Sequence, residues 1–282
     1  MRKIIVFIFS LFVFSTSYAD TSKIKDKFYG SIENFLDGNF EDTDFSIKSK
    51  EGNKPEVGIL TFKPLNDTDN GLTFFQGSFF THDGDRETIN LGFGKRLLSE
   101  DESFLYGLNL FYDHEFDYSH QRASIGGEIK SSILELNTNH YFAISDEKTG
   151  KNSIKEDVAD GYDLELGAHV PYIPSAKVFA KIFEYEIPGG ADFEGMEYSS
   201  KIGLPNSGVN LEVGLKDYGN NSYEDQWFVN LTFNFSKINP DKNFTIDQPY
   251  EKISMKDKKY EKVRRENLIV KSKSFSVKAG GF

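Results

Sequence analysis

The feature that most restricts this chain is a period of two that restarts repeatedly between Asp44 and Phe235. Apolar residues alternate with polar residues or glycine over segments of roughly nine to eleven residues, separated by runs rich in Asn, Asp, Gly, Ser and Pro. Such alternation puts one set of side chains on each face of a strand. In the last segment Trp227, Val229, Leu231, Phe233 and Phe235 share one face, with Phe228, Asn230, Thr232 and Asn234 on the other. The pattern also sets Ile89, Leu91 and Phe93 against Asn90, Gly92 and Gly94, and Tyr106, Leu108 and Leu110 against Gly107, Asn109 and Phe111. It returns with Tyr162, Leu164 and Leu166 against Asp163, Glu165 and Gly167. The aromatic content, 27 Phe, 14 Tyr and 1 Trp beside 24 Gly and only 3 Met, suits pleated strands better than helices.

Twelve strands are expected, near 43–48, 56–63, 71–81, 86–97, 104–113, 121–129, 133–143, 160–169, 176–186, 195–202, 209–217 and 225–235. Alternation alone fits either a soluble sandwich or a membrane barrel, because the two differ only in which face meets water. Strand length and aromatic tips separate them: segments of about ten residues ending in Tyr or Phe match a tilted span with interfacial girdles. Loop parity agrees. The connections after even-numbered strands are compact, whereas Ser145–Ala159 and Tyr218–Glu224, after odd-numbered strands, are longer and polar. The first strand then rises from the periplasm. The expected fold is all-β, a twelve-stranded antiparallel transmembrane barrel in the outer membrane of a Gram-negative cell.

The flanks read differently. Arg2 and Lys3, the apolar run Ile4–Phe14 and the small residues Ser17 and Ala19 make residues 1–19 a secretory signal peptide for export by the Sec route. Residues 20–42 form a periplasmic lead-in, where Ile24, Phe28, Ile32 and Phe35 recur at helical spacing. The barrel is expected over 43–235, followed by a connector, a cationic helix and an extended linker over 236–282. Between Lys252 and Arg265 stand seven cations and two anions, the expected helix running from Ile253 to Glu266. Lys256, Lys259, Lys262, Arg264, Arg265 and Glu266 would occupy a pore whose wall carries Glu128, Glu135, Asp163, Glu165 and Glu212, where partial desolvation strengthens attraction.

Glu87–Leu98 (ETINLGFGKRLL), Leu105–Ser145, with its YDHEF and HQRASIG stretches, and Asp160–Pro174 resemble the β-domain of the intimin and invasin family, the inverse autotransporters. EDQWFVNLTFNF resembles that family's last strand, and Tyr260–Val270 (YEKVRRENLIV) its linker. The resemblance implies an outer-membrane translocation and anchor domain that threads its C-terminal segment through its own pore to the cell surface. It also implies Phe235 as the terminal aromatic read by the barrel insertion machinery, with periplasmic chaperones and membrane lipid as further partners. The few residues beyond the linker suggest that no passenger is present, and a host or cell-surface ligand would require one. Two alternatives stay open: a passive porin or structural barrel with its tail in the periplasm, and the barrel fragment of an adhesin whose passenger is encoded separately.

Other chemistry finds little support. A net charge of −11, or −13 once Arg2 and Lys3 are cleaved off, opposes nucleic-acid binding. The lack of Cys excludes thiolate metal sites and disulfides. Asp113, His114, Glu115 and His120 lack the HExxH spacing, so the expectation is a polar strand end at the membrane interface beside Tyr112, Phe116 and Tyr118. Asp83 and Asp85 lack the distal Glu of a calcium loop, and no GxSxG or P-loop occurs. No catalytic, cofactor or metal residues are assigned.

Overall fold

Segments that alternate over ten or more residues can satisfy their backbone groups in a membrane only by pairing with neighbours until the sheet closes on itself. The computed structural model describes residues 42–151, 154–188, 191–219, 223–234, 244–250 and 253–272. The expected signal peptide, the lead-in up to residue 41 and Phe235 lie outside the described residues. The strands are β1 (Asp42–Lys50), β2 (Glu56–Thr68), β3 (Gly71–His82), β4 (Arg86–Leu98), β5 (Leu105–Glu115), β6 (His120–Lys130), β7 (Leu134–Ala143), β8 (Lys148–Thr149), β9 (Lys155–Glu156), β10 (Asp160–Val170), β11 (Ile173–Glu186), β12 (Phe193–Gly203), β13 (Val209–Tyr218) and β14 (Gln226–Asn234). Apart from β8 and β9, which form a small hairpin, they close a twelve-stranded antiparallel barrel. β1 closes the seam by pairing with β14 from Asp44↔Asn234 to Lys50↔Phe228.

The two faces are inverted relative to a soluble protein. Leu108 is 69% exposed, Leu110 61% and Trp227 61%, whereas Arg96, Asp113, Glu115 and Arg122 are fully buried. An eleven-residue strand such as β5 extends about 36 Å and, tilted by about 40°, spans roughly 27 Å, close to the apolar band of an outer-membrane barrel. Glycine serves the inner face by leaving room for rings: a Cβ at Gly92 would collide with Phe111, and one at Gly94 with Phe74.

One rim carries the short turns 69–70, 131–133 and 171–172, and the other the long loop 144–159 that holds β8 and β9. By that asymmetry the first rim faces the periplasm and the second the exterior.

The cationic helix expected over Ile253–Glu266 is not formed. Its only regular element is a 3-10 turn at Asp257–Tyr260, and the rest is extended or irregular. The reason lies in the wall. Side chains of the barrel donate hydrogen bonds to the backbone carbonyls of Lys259, Glu261, Arg264, Glu266 and Asn267. These donors replace the intrahelical N–H groups, and an extended chain is much narrower than a helix about 10 Å across.

Candidate functional site

Residues 253–272 cross the lumen from rim to rim as a strap. At the periplasmic rim Met255 N–H donates to the Glu102 carbonyl at 2.9 Å, in the turn between β4 and β5. Ser254 Oγ donates to Glu102 at 2.5 Å. That hydroxyl and the Lys256 ammonium hold the Glu102 carboxyl below the usual carboxylate range. At the outer rim Lys271 bridges Val158, Ala159 N–H donates to the Val270 carbonyl at 3.0 Å, and Ser272 N–H donates to the Asp157 carbonyl at 2.8 Å. The strap therefore leaves the barrel paired to the long outer loop.

Between the rims the cations of the strap meet carboxylates of the wall. Lys259 Nζ donates to Asp67 at 2.7 Å and Lys262 to Asp42 and Asp44. Arg264 grips Glu165 through Nε at 2.6 Å and Nη2 at 2.9 Å, reaches Glu212 at 3.0 Å, and stacks 3.7 Å over the Phe179 ring. Arg265 makes a fork-to-fork pair with Asp113 at 2.8 and 2.7 Å while lying 4.3 Å above Phe111. Parallel N–H···O pairs of this kind are the strongest ionic hydrogen bonds a protein makes, and a water-poor lumen strengthens them further. Lys271 bonds Glu115. Lys256 lies at the periplasmic rim, where its ammonium is 3.4 Å from Glu102.

The strap also lends its backbone. Arg96 donates to the carbonyls of Lys259 and Glu261 at 2.6 and 2.5 Å while its Nε holds Glu128 at 2.5 Å. Arg122 bridges Asp113 at 2.8 Å and the Glu266 carbonyl at 2.7 Å, and the Tyr141 hydroxyl accepts from Glu266 N–H at 2.7 Å. Gln76 accepts from Val263 N–H at 2.8 Å, placing Val263 in an apolar cluster with Phe62, Leu72, Phe74 and Phe111.

Of the five carboxylates read from the sequence as lumenal, Glu165 and Glu212 touch the strap, both through Arg264. Glu128 pairs with Arg96, Glu135 with Lys177, and Asp163 accepts from Asn139 and Tyr141, so these three brace the wall. Glu266 lies 4.0 Å from Lys216.

The expectation of an interfacial strand end at Asp113–Glu115 is corrected. Asp113 and Glu115 point into the lumen and are fully buried, while His114 lies between Tyr112 and Phe116 on the outer face. Strand parity could have found this, since Asp113 is in phase with Asn109 and Phe111.

Ligand atoms of Glu115, His120 and Glu156 lie within 4.8 Å of one another, a spacing that could hold a cation. Arg86 already bonds both carboxylates, at 2.8 Å to Glu115 and 2.9 Å to Glu156, and Lys271 adds a second positive charge. A metal ion would have to displace both, so the cluster reads as an ionic fastening of the strap's outer end.

Comparison with known proteins bears on the family and on the barrel fold. The chain is 31% identical over 135 residues to a putative attaching and effacing protein homolog of Escherichia coli K12, covering 47% of this chain and 43% of that one. It is 24% identical over 170 residues to the invasin of Yersinia enterocolitica, covering 57% and 20% of the two chains. With the inverse autotransporter adhesin YeeJ of E. coli K12 it shares 28% identity over 136 residues, 47% of this chain and 5% of the adhesin. The chain thus spans less than half the length of these relatives. A solved chain from a study of in-meso crystallization of membrane proteins superposes with a TM-score of 0.66 at 20% identity, covering 82% of this chain and 99% of that one, which supports the fold. The model of the inverse autotransporter β-domain matches residues 20–267. With that match over most of its length, the chain belongs to the inverse autotransporter β-domain family, as an outer-membrane barrel of Gram-negative bacteria that serves as an anchor or translocation domain.

Proposed function

We propose that the barrel delivers its own C-terminal segment to the cell surface and then retains it as a strap that plugs the pore. The observation that carries this reading is the continuous run from Met255 at the periplasmic rim to Ser272 at the outer rim, fastened in between by Arg264 and Arg265. Lys256, Lys259, Lys262, Arg264, Arg265 and Glu266 act as plugging residues in this scheme. The wall supplies binding, orientation and charge compensation rather than bond-making chemistry. Insertion would depend on periplasmic chaperones and the barrel insertion machinery, with Phe235 as the terminal aromatic signal. Adhesion, which the names of some relatives carry, would belong to polypeptide displayed beyond the strap.

An epitope placed after Phe282 tests the delivery. On intact cells it should be cleaved by external protease and stained by antibody. Access only after the outer membrane is permeabilised would overturn the proposal.

A further inference from the structure

The strap reaches the outer rim already paired as a strand, and the edge it pairs with runs on past Ser272. Ser272 N–H donates to the Asp157 carbonyl at 2.8 Å and Ala159 N–H to the Val270 carbonyl at 3.0 Å, so Val158 and Lys271 are directly opposite between two bonded positions. Asp157 and Ala159 thus turn their backbone groups toward the strap. On the other edge of the same segment, Gly150 N–H donates to the Ile154 carbonyl at 2.7 Å, and Lys148 and Thr149 of β8 pair with Glu156 and Lys155 of β9. Alternation along the ladder then directs the backbone of Glu156 toward β8 and that of Lys155 away from it, to the strap's side. No described residue takes the Lys155 N–H or carbonyl.

That edge is held in place. Glu156 accepts from Arg86 at 2.9 Å and lies 3.1 Å from His120 Nε2, Val158 and Ala159 are buried, and Lys151 Nζ donates to Asp85 at 2.6 Å. An unpaired strand edge fixed in this way is a template for another extended chain. The sequence beyond the strap supplies one. From Lys271 to Val277 (KSKSFSV) serine alternates with Lys, Phe or Val, the period of a strand. The pairing already present sets the register: Val158↔Lys271 continues as Glu156 opposite Lys273, Lys155 opposite Ser274 and Ile154 opposite Phe275. In that register Lys273 brings a cation to a carboxylate, and Phe275 covers Ile154, whose side chain is otherwise 40% exposed.

We infer that the strap-side edge of β9 is a docking edge for residues 273–275 of this same chain, drawing them into a three-stranded sheet with β8 and β9 above the outer rim. Backbone hydrogen bonds in a fixed register resist sliding in either direction, so the hairpin acts as a catch at the exit, beyond the ionic fastenings inside the lumen. The inference rests on the strap being retained in the pore, as proposed above, and not on what lies beyond Phe282.

The test is amide hydrogen exchange, read by NMR on the full chain in detergent micelles after heat-shifted gel mobility has verified folding. The Lys155 and Ser274 amides should exchange at least roughly tenfold more slowly than in an unstructured chain, while those of Lys273 and Phe275, which face away from β9, exchange freely. Ser274→Pro removes the donor and sets a ring against β9, so it should release the Lys155 amide and leave that of Ser272 protected. Fast exchange at Ser274 and Lys155, or protection of Lys155 that survives Ser274→Pro, would overturn the inference. The measurement needs only a folded barrel with its strap in place. An unprotected Ser274 in a chain whose epitope after Phe282 is reached from outside therefore sinks the catch alone, and a protected Ser274 with an epitope reached only after permeabilisation supports the catch and sinks delivery.

Discussion

The two walls of the lumen treat the strap differently. Along β3 to β7 the strap is held by Gln76, Asn90, Arg96, Asp113, Arg122, Asn139 and Tyr141, each making at least one direct bond to it. Along β10 to β14 and β1 to β2 it is met mainly by carboxylates, Asp42, Asp44, Asp67, Glu165 and Glu212, and by the Phe179 ring, and a cavity intervenes. A polar lumen can therefore grip its occupant by different chemistry on its two sides and still leave a cavity beside it. Amide, guanidinium and hydroxyl groups of the wall reach the strap's backbone on one side, and carboxylates take its cations on the other, where a cavity is left.

The difference can be broken most severely at Asp113. Asp113→Ala strands Arg122 and Arg265 as buried charges, a loss of about 3–5 kcal/mol, to be read as a lower urea midpoint for the heat-modifiable band. Adding Arg265→Met should recover part of the loss, because the two sites share one network. The next effect is expected at Arg264. Arg264→Gln leaves Glu165 and Glu212 facing each other without their cation, at roughly 2–3 kcal/mol, and should speed protease cleavage of the strap. Val263→Ala should cost about 1–2 kcal/mol by trimming the apolar cluster around Phe74, without altering strap accessibility at neutral pH.

On the looser wall, Lys181→Gln should cost less, about 1 kcal/mol or below, since Lys216 still reaches Glu197 at 3.5 Å. The smallest effect concerns the periplasmic fastening. The Glu102 carboxyl is held below its ordinary value of 4.5, so its contribution is present above that value and is lost as pH falls through the lower folded value. Acidification should loosen residues 254–256 before the Arg265 pair yields, and hydrogen exchange of those amides at stepped pH would show the order. Simultaneous release of the two fastenings would refute a graded order.

Period-two alternation together with strand length and aromatic tips was enough to read twelve strands and their place in the membrane, because lipid and lumen impose opposite demands on alternate residues. The stretch between Lys252 and Arg265 stood out by its charge. Which carboxylate meets which cation was not legible. Asp113 and Glu115 looked like a strand end because their neighbours Tyr112 and Phe116 are aromatic, and their strap partners Arg265 and Lys271 lie more than a hundred residues away in the chain. The helix expected over Ile253–Glu266 followed from local composition, which carries no record of side-chain donors on a wall folded elsewhere.

The sequence by itself determined the barrel, since alternation, strand length and short turns are local properties that leave a membrane-spanning chain only one way to satisfy its backbone. The tertiary structure decided the strap's extended form, its partners and the cavity beside it. Those depend on register around a closed sheet, which brings Asp113, Glu165 and Glu212 from three separate strands to one short segment.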